Sequence, residues 1–141
     1  MLKISTRGQY ALLVMTDLAQ APDNSYTPLK ILSHRRNLSV KYLEQILIQL
    51  GKAGLITGSR GINGGYRLSR PLESYTAGDI LRAMEGNLSP RNIAQNAHLA
   101  SAENESFWFG LEKVINDYVD SVTLKELVQK NQDFAGFEYN I

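Results

Sequence analysis

The chain has 141 residues, of which 43% are hydrophobic, and this suits one compact domain with an appendage. It contains no cysteine, and its two histidines, His34 and His98, are far apart. Disulfides, thiolate catalysis and cysteine-ligated zinc or iron–sulfur sites are therefore excluded, and we expect neither a metal site nor a cofactor. The formal net charge is +1, but the charge is unevenly distributed along the chain, because residues 1–70 hold ten Lys/Arg and only three Asp/Glu. Clustered positive charge is typical of a nucleic-acid-binding region, although a solvated surface can carry the same residues.

The N-terminus has no apolar leader, and no run of about 18 apolar residues occurs in the chain. We therefore expect a cytoplasmic protein that does not interact with membranes.

Three helices are predicted in the N-terminal half. The first runs from Thr6 to Gln20 after a Ser5/Thr6 cap, with apolar residues at 3.6-residue spacing. The second is short and begins with Thr27 as the capping hydroxyl and Pro28 at the first helical position. Ser39 caps the third, whose apolar stripe is Val40, Leu43, Ile46, Leu47 and Leu50.

A β-hairpin follows the third helix. Leu55-Ile56-Thr57 and Tyr66-Arg67-Leu68 have the character of strands, and a glycine-rich connection with an Asn63-Gly64 pair separates them. Gly61, Gly64 and Gly65 are expected to supply positive φ angles at this turn. Three helices followed by a hairpin indicate a winged helix-turn-helix domain, here residues 1–86, in a mainly α protein with a small β-hairpin wing.

The C-terminal part is expected to be helical and to form dimers. A capping box at Thr76 and Asp79 opens a helix that ends at Gly86, and residues 87–103 form a polar connection. A long helix is predicted from Asn104 to Asp120, and a last helix of about two turns begins at Thr123. Residues 104–131 are thus assigned to dimerisation helices and residues 132–141 to a C-terminal tail.

The long helix carries more apolar surface than so short a domain can readily cover. We expect this face to pack against the same helix of a second copy, although packing on the first helix of the same chain is the alternative. The candidate dimer-interface residues are Phe107, Trp108, Leu111, Ile115 and Tyr118.

Candidate DNA contacts lie in three places. The first turns of the third helix offer donors and acceptors for base edges, and the basic hairpin tip suits a narrow minor groove. The start of the first helix and the basic end of the second offer phosphate contacts. A plain helix cap, a solvated loop and an ordinary polar surface explain the same residues without DNA. The candidates are Lys3, Ser5, Thr6, Arg7, Arg35, Arg36, Ser39, Val40, Lys41, Tyr42, Glu44, Gln45, Arg60, Gly61 and Asn63.

These motifs together resemble the Rrf2 (BadM) family of bacterial winged-helix regulators. The segments are ISTRGQYA at 4–11, LSVKYLEQ at 38–45, GLI at 54–56, SRGINGGYRL at 59–68 and TAGDI at 76–80, and the likeness continues from Trp108 to Leu127. The resemblance implies a homodimer on a palindromic operator of double-stranded DNA, with the third helix in the major groove and Arg60 in the minor groove.

Many members of that family bind an iron–sulfur cluster through three cysteines in the connection. This chain has none, so the resemblance points to the cluster-free CymR-like subgroup, which represses cysteine and sulfur metabolism genes. In that subgroup sensing runs through the enzyme cysteine synthase. The end of the chain, Tyr139, Asn140 and Ile141, looks like the C-terminal segment with which serine acetyltransferases bind the active site of cysteine synthase. Cysteine synthase is therefore a candidate partner. Docking of the tail on its own domain is the alternative.

Two other classes of function are weighed against a DNA-binding regulator. An interaction adaptor without DNA binding is the alternative, because a fold alone does not determine function. We do not expect an enzyme, since no nucleophile, base and orienting group can be assembled from these residues.

Overall fold

The computed structural model describes residues 3–91 and 102–139, with side chains described as far as residue 135. Three helices come first: α1 (Thr6–Ala19), α2 (Leu29–Arg36) and α3 (Val40–Lys52). The hairpin strands β1 (Ile56–Ser59) and β2 (Gly65–Leu68) follow, and then α4 (Ala77–Glu85), α5 (Glu105–Ser121) and α6 (Leu124–Tyr139). This order confirms the winged helix-turn-helix prediction.

Two predicted helix starts are confirmed by their capping bonds. The Ser39 hydroxyl accepts a hydrogen bond from the Tyr42 N–H at 3.1 Å. At α4, the Thr76 hydroxyl accepts from the Asp79 N–H while the Asp79 carboxylate accepts from the Thr76 N–H, which is the reciprocal capping box.

The start of α2 differs from the prediction. Thr27 does not cap the helix; its N–H and C=O pair with the C=O and N–H of Tyr66 at 2.8 and 2.9 Å. This backbone bridge extends the antiparallel hairpin, in which Ile56 faces Leu68 and Ser59 faces Gly65. The wing is therefore tied to the residue that leads into α2.

The hairpin glycines are required for two different reasons. Gly61 and Gly65 have φ angles of 103° and 142°, as expected. The expectation is wrong for Gly64, which has no positive φ; a Cβ there would instead clash with the Ser59 carbonyl oxygen. The turn closes through a hydrogen bond of 3.0 Å from the Gly64 N–H to the Gly61 C=O, so Ile62 and Asn63 occupy its centre.

The core is built mainly from one face each of α1 and α3, with single residues from α2, α4 and α6 and the base of the wing. Tyr75 is fully buried, and its hydroxyl donates to the Leu55 C=O at 2.7 Å and accepts from the Ser69 and Arg70 N–H groups. This phenol holds the base of the hairpin to the segment before α4. The residues of the core are Ala11, Val14, Met15, Leu18, Leu32, Leu43, Ile46, Leu47, Leu50, Leu55, Ile56, Leu68, Tyr75, Ile80 and Leu124.

The C-terminal helices differ from the predicted division. The last helix has 16 residues rather than about two turns and continues to Tyr139, through most of the predicted tail. Its Leu124 is fully buried in the core, so the start of α6 packs against the winged domain. Asn140 and Ile141 lie outside the described residues, as does most of the predicted connection.

Candidate nucleic-acid interface

The first turns of α3 present several side chains to solvent. Lys41, Glu44 and Gln45 are exposed, and Val40 is 41% exposed although it continues the apolar stripe of the helix. Tyr42 is half-buried and packs edge-to-face on Tyr10 of α1, with ring centroids 6.0 Å apart. An exposed helix start of this kind is what a major groove accepts.

The wing and α3 border one groove. Its lining includes Val40 from α3, Lys30 from α2, and Arg60, Gly61 and Ile62 from the wing. The structure thus brings Val40, one of the predicted helix contacts, into one groove with Arg60 and Gly61 of the predicted wing contacts, and Asn63 is exposed at the wing tip.

Two residues of this face were missed by the sequence analysis. Lys30 is exposed at the second position of α2 and adds a cation to the groove. Ile62 is fully exposed at the wing tip, so its apolar side chain is not buried within the chain. The signal for Ile62 is an apolar residue between turn glycines, which hydrophobic periodicity does not detect.

Arg7 of α1 reaches the face of α3. Its Nη2 donates to Gln45 Oε1 at 2.9 Å, and its guanidinium carbon lies 5.8 Å from the centroid of the Tyr42 ring. Two residues predicted as separate DNA contacts are therefore in contact with each other.

The Ser5 groups at the N-terminus of α1 are already hydrogen-bonded within the chain. The Ser5 hydroxyl caps the helix by accepting from the Gly8 N–H at 3.1 Å, and Glu85 Oε1 accepts from both the Ser5 N–H and the Ser5 hydroxyl. A carboxylate is thus already bound where the phosphate was predicted. Ser5 is a cap that ties α1 to α4, whereas Lys3 and Thr6 remain exposed.

The two arginines at the end of α2 have different environments. The Arg36 guanidinium donates to both carboxylate oxygens of Asp17, which is nearly buried, and this pairing raises the pKa of Arg36. Arg35 is exposed and borders a second groove between α1 and α2. Its neighbour Arg36 is the ion-pair partner of Asp17, and we propose this pairing as its role in place of a phosphate contact.

The exposed apolar face predicted on the long helix is present on α5. Phe107, Val114 and Tyr118 are 62%, 66% and 67% exposed, while Trp108, Leu111 and Ile115 are half-buried. Phe109, which the sequence analysis left out, is 72% exposed. The intramolecular partner of α5 is α4, whereas α6 packs on α1.

An ion pair fastens α5 to α4. The Arg82 guanidinium donates to both Asp120 carboxylate oxygens, at 2.7 and 3.0 Å, and to Asn116 Oδ1. The hydrogen bond from Arg82 lowers the pKa of Asp120, and its charge acts in the same direction. At the other end of α5, Arg91 pairs with Glu105 and lies over the Trp108 ring.

The residues do not fit an iron–sulfur cluster, because the chain has no cysteine to ligate one. Within residues 3–91 and 102–139, no group of three or more His, Asp or Glu side chains is placed to hold a metal ion. No helix in the same part of the chain is long and apolar enough to cross a membrane.

Comparison with known proteins identifies the family. Residues 4–130 match the family model Rrf2, described as an iron-dependent transcriptional regulator. The regulator CymR of Bacillus subtilis is 38% identical over 126 residues, which cover 89% of each chain. IscR of Cereibacter sphaeroides is 31% identical over 136 residues, covering 91% of this chain and 88% of IscR.

The solved structures agree with the sequence relatives. The structure of CymR, the global cysteine regulator of B. subtilis, superposes with a TM-score of 0.80 over 92% of this chain and 98% of that one. That of IscR from T. potens, 36% identical, gives 0.71 over 92% and 88%. These relatives are transcriptional regulators and not enzymes, as predicted. The chain described here belongs to the Rrf2 family of DNA-binding winged helix transcriptional regulators.

Proposed function

We propose that this regulator is a dimeric repressor that binds a palindromic operator with α3 in the major groove and the wing in the minor groove. The observation that carries the proposal is the common groove, where Val40 of α3 faces Arg60 of the wing. A helix start and a basic hairpin on one face match the way in which winged helices contact two adjacent grooves.

The contacts divide by what each side chain can do. Lys41, Glu44 and Gln45 supply donors and acceptors for base edges, while Val40 and Tyr42 supply apolar surface for a thymine methyl group. Arg60 enters the minor groove, with Gly61 and Asn63 beside it. Exposed Lys3, Lys30 and Arg35 contribute phosphate affinity, and Thr6 is a further donor to the backbone.

We propose a homodimer formed through the α5 face, whose contacts are Phe107, Trp108, Leu111, Ile115 and Tyr118, extended by Val114. So much exposed aromatic surface on one helix is unusual for a monomer and typical of an interaction site. Sedimentation velocity of the wild type and of Val114→Lys tests this. A dimer that the lysine dissociates supports the proposal, and a monomeric wild type at micromolar concentration contradicts it.

The regulated genes are proposed to be those of cysteine and sulfur metabolism. Support comes from the similarity to CymR at 38% identity and from the lack of cysteines, which separates this chain from cluster-binding relatives. We further propose that the segment Tyr139, Asn140 and Ile141 binds cysteine synthase. Calorimetry with that enzyme tests the tail, since deletion of residues 140–141 should abolish binding if the hypothesis is correct.

The DNA-binding experiment is selection of bound duplexes from a random pool at about 0.15 M salt, a physiological ionic strength. We expect two inverted half-sites, with affinity reduced in Arg60→Ala by about 1–3 kcal/mol. Lys52→Ala is the matched control, because Lys52 is an exposed cation at the opposite end of α3. Failure of the wild type to enrich any sequence would favour the adaptor function instead.

A further inference from the structure

The last turn of α4 lies between the helix proposed to read DNA and the helix proposed to form the dimer. On one side, Gln49 Nε2 of α3 donates to the C=O groups of Ala83 and Met84, at 3.3 Å each. The last four C=O groups of an α-helix have no partner within the helix, so this amide satisfies two of them. Gln49 is half-buried, and its side chain ties the C-terminal half of α3 to the end of α4.

On the other side, Arg82 of the same turn binds α5. Its guanidinium donates to both carboxylate oxygens of Asp120, at 2.7 and 3.0 Å, and to Asn116 Oδ1 at 2.7 Å. Asn116 and Asp120 are four residues apart and therefore lie on one face of α5. Because the guanidinium is planar and its donors form a rigid fork, these three bonds fix the direction of α5 as well as its distance from α4.

The two helices approach each other closely one turn before Arg82. A Cβ at Gly78 would overlap Asp120 Oδ1, and it would lie 2.7 Å from Arg82 Nη1 and 3.1 Å from Val119 Cγ2. A residue without a side chain at this position therefore leaves Asp120 where Arg82 binds it. We call Gly78, Arg82, Asn116 and Asp120 the α4–α5 joint.

The joint links the two proposed functions in series, because α4 packs on α3 as well as on α5. The direction of α5 relative to α3 consequently depends on the α4–α5 joint. In a two-fold symmetric dimer formed through α5, any change in that direction is repeated in the partner. A change at the joint therefore acts twice on the separation of the two α3 helices.

An operator is sensitive to that separation. One additional base pair between the half-sites moves the second half-site by about 3.4 Å along the DNA and rotates it by about 34–36°. A rigid dimer cannot follow both displacements, and it loses simultaneous binding of the two half-sites. We propose that Arg82 is a positioning residue that, through the α4–α5 joint, makes the dimer select operators of one half-site spacing. The inference rests on the proposed DNA-binding homodimer.

The test uses the duplex that selection with the wild type enriches, and the same duplex with one base pair inserted at its centre. The affinity for each is measured for wild type, Arg82→Met, Gly78→Ala and Lys113→Met. Methionine keeps an aliphatic side chain and removes the donors, whereas Gly78→Ala retains every charge and displaces the Asp120 carboxylate. Lys113→Met is the control, because Lys113 pairs within α5, with Asp117 at 2.5 Å. Circular dichroism and sedimentation velocity establish the fold and the oligomeric state of each variant.

For the wild type we expect the inserted base pair to lower affinity by about tenfold or more, since the two half-sites can no longer be bound together. In Arg82→Met and in Gly78→Ala this penalty should fall to about threefold or less, because a loosened α5 lets the dimer adapt to either spacing. The half-site sequence selected from a random pool should stay unchanged, and Lys113→Met should keep the wild-type penalty. A purely structural loss of stability would weaken binding to both duplexes in the same proportion.

Retention of the full penalty in either Arg82→Met or Gly78→Ala would overturn the positioning role and leave the regulator function intact. A variant that sediments as a monomer would overturn it as well, because the joint would then serve dimerisation rather than spacing. Equal wild-type affinity for the two duplexes would have the same consequence. A wild type that enriches no sequence, or that is itself a monomer, would instead overturn the proposed function, so the two failures are distinguishable.

Discussion

Replacing Arg36 with alanine should destabilise the fold rather than weaken a DNA contact. The Asp17 side chain is only 6% exposed, and Arg36 donates to both of its oxygens. Removal of the arginine leaves a nearly buried carboxylate without its charged partner. Breaking a fully buried pair in this way costs about 3–5 kcal/mol.

The expected cost is smaller here because 28% of the Arg36 side chain is exposed, so water already screens part of the attraction. We expect Arg36→Ala to lower the free energy of unfolding by about 2–3 kcal/mol, and the Tm by about 6–12 °C for a chain of this size. Urea unfolding followed by circular dichroism measures the first quantity, and a thermal melt the second.

Arg35→Ala is the matched control, since Arg35 is the preceding residue and is exposed. Its stability should stay within about 0.5 kcal/mol of the wild type, while operator affinity falls and the slope of log K against log salt decreases by about 1. An Arg36→Ala variant that is as stable as the wild type but binds DNA poorly would refute the structural assignment and restore Arg36 to the phosphate contacts.

Three further predictions follow from single contacts. Gly65→Ala should destabilise the wing by about 1–3 kcal/mol, because φ is 142° and a Cβ would meet the Thr27 carbonyl, whereas Gly51→Ala in the open last turn of α3 should be neutral or stabilising in the same melt. Ser39→Ala should cost about 1 kcal/mol through loss of the cap on Tyr42 N–H, measured by urea unfolding. The pKa of Asp120 is lowered in the folded state, so its pairing with Arg82 stabilises above the ordinary pKa of about 3.9 and is lost as the pH falls through the folded value; the stability difference between wild type and Asp120→Asn should therefore begin to shrink as the pH falls below about 4 and vanish only below the lowered folded pKa.

Local signals were sufficient to predict most of the winged domain. Ser39, Thr76 and Asp79 act at the helix starts where their capping chemistry indicated, and the buried residues of α3 follow the 3.6-residue period. These features depend on residues within one or two helical turns of each other, so they can be predicted from the local sequence alone.

The errors came from contacts between distant residues. Thr27 was expected to cap α2, but its backbone pairs with Tyr66 across the wing. Glu85 binds the N-terminus of α1 from 80 residues away, and Asp17 binds Arg36 from another helix. No local pattern distinguishes Arg36 from Arg35, because only the folded chain brings a carboxylate to one of them.

The most consequential long-range contacts join the proposed dimer helix to the DNA-binding core. The end of α5 is fastened by the Arg82–Asp120 pair, by the bond of 2.8 Å from the Ala77 N–H to the Val122 C=O, and by Leu124, which is fully buried in the core. A helix held at these points cannot swing independently of the domain that carries α3. The packing of α5 on its copy would therefore determine the separation of the two recognition helices, which a palindrome requires to be about 34–36 Å. It follows that a substitution on the exposed α5 face can change operator affinity without contacting DNA, because it alters the spacing of the two half-sites that α3 and the wing read.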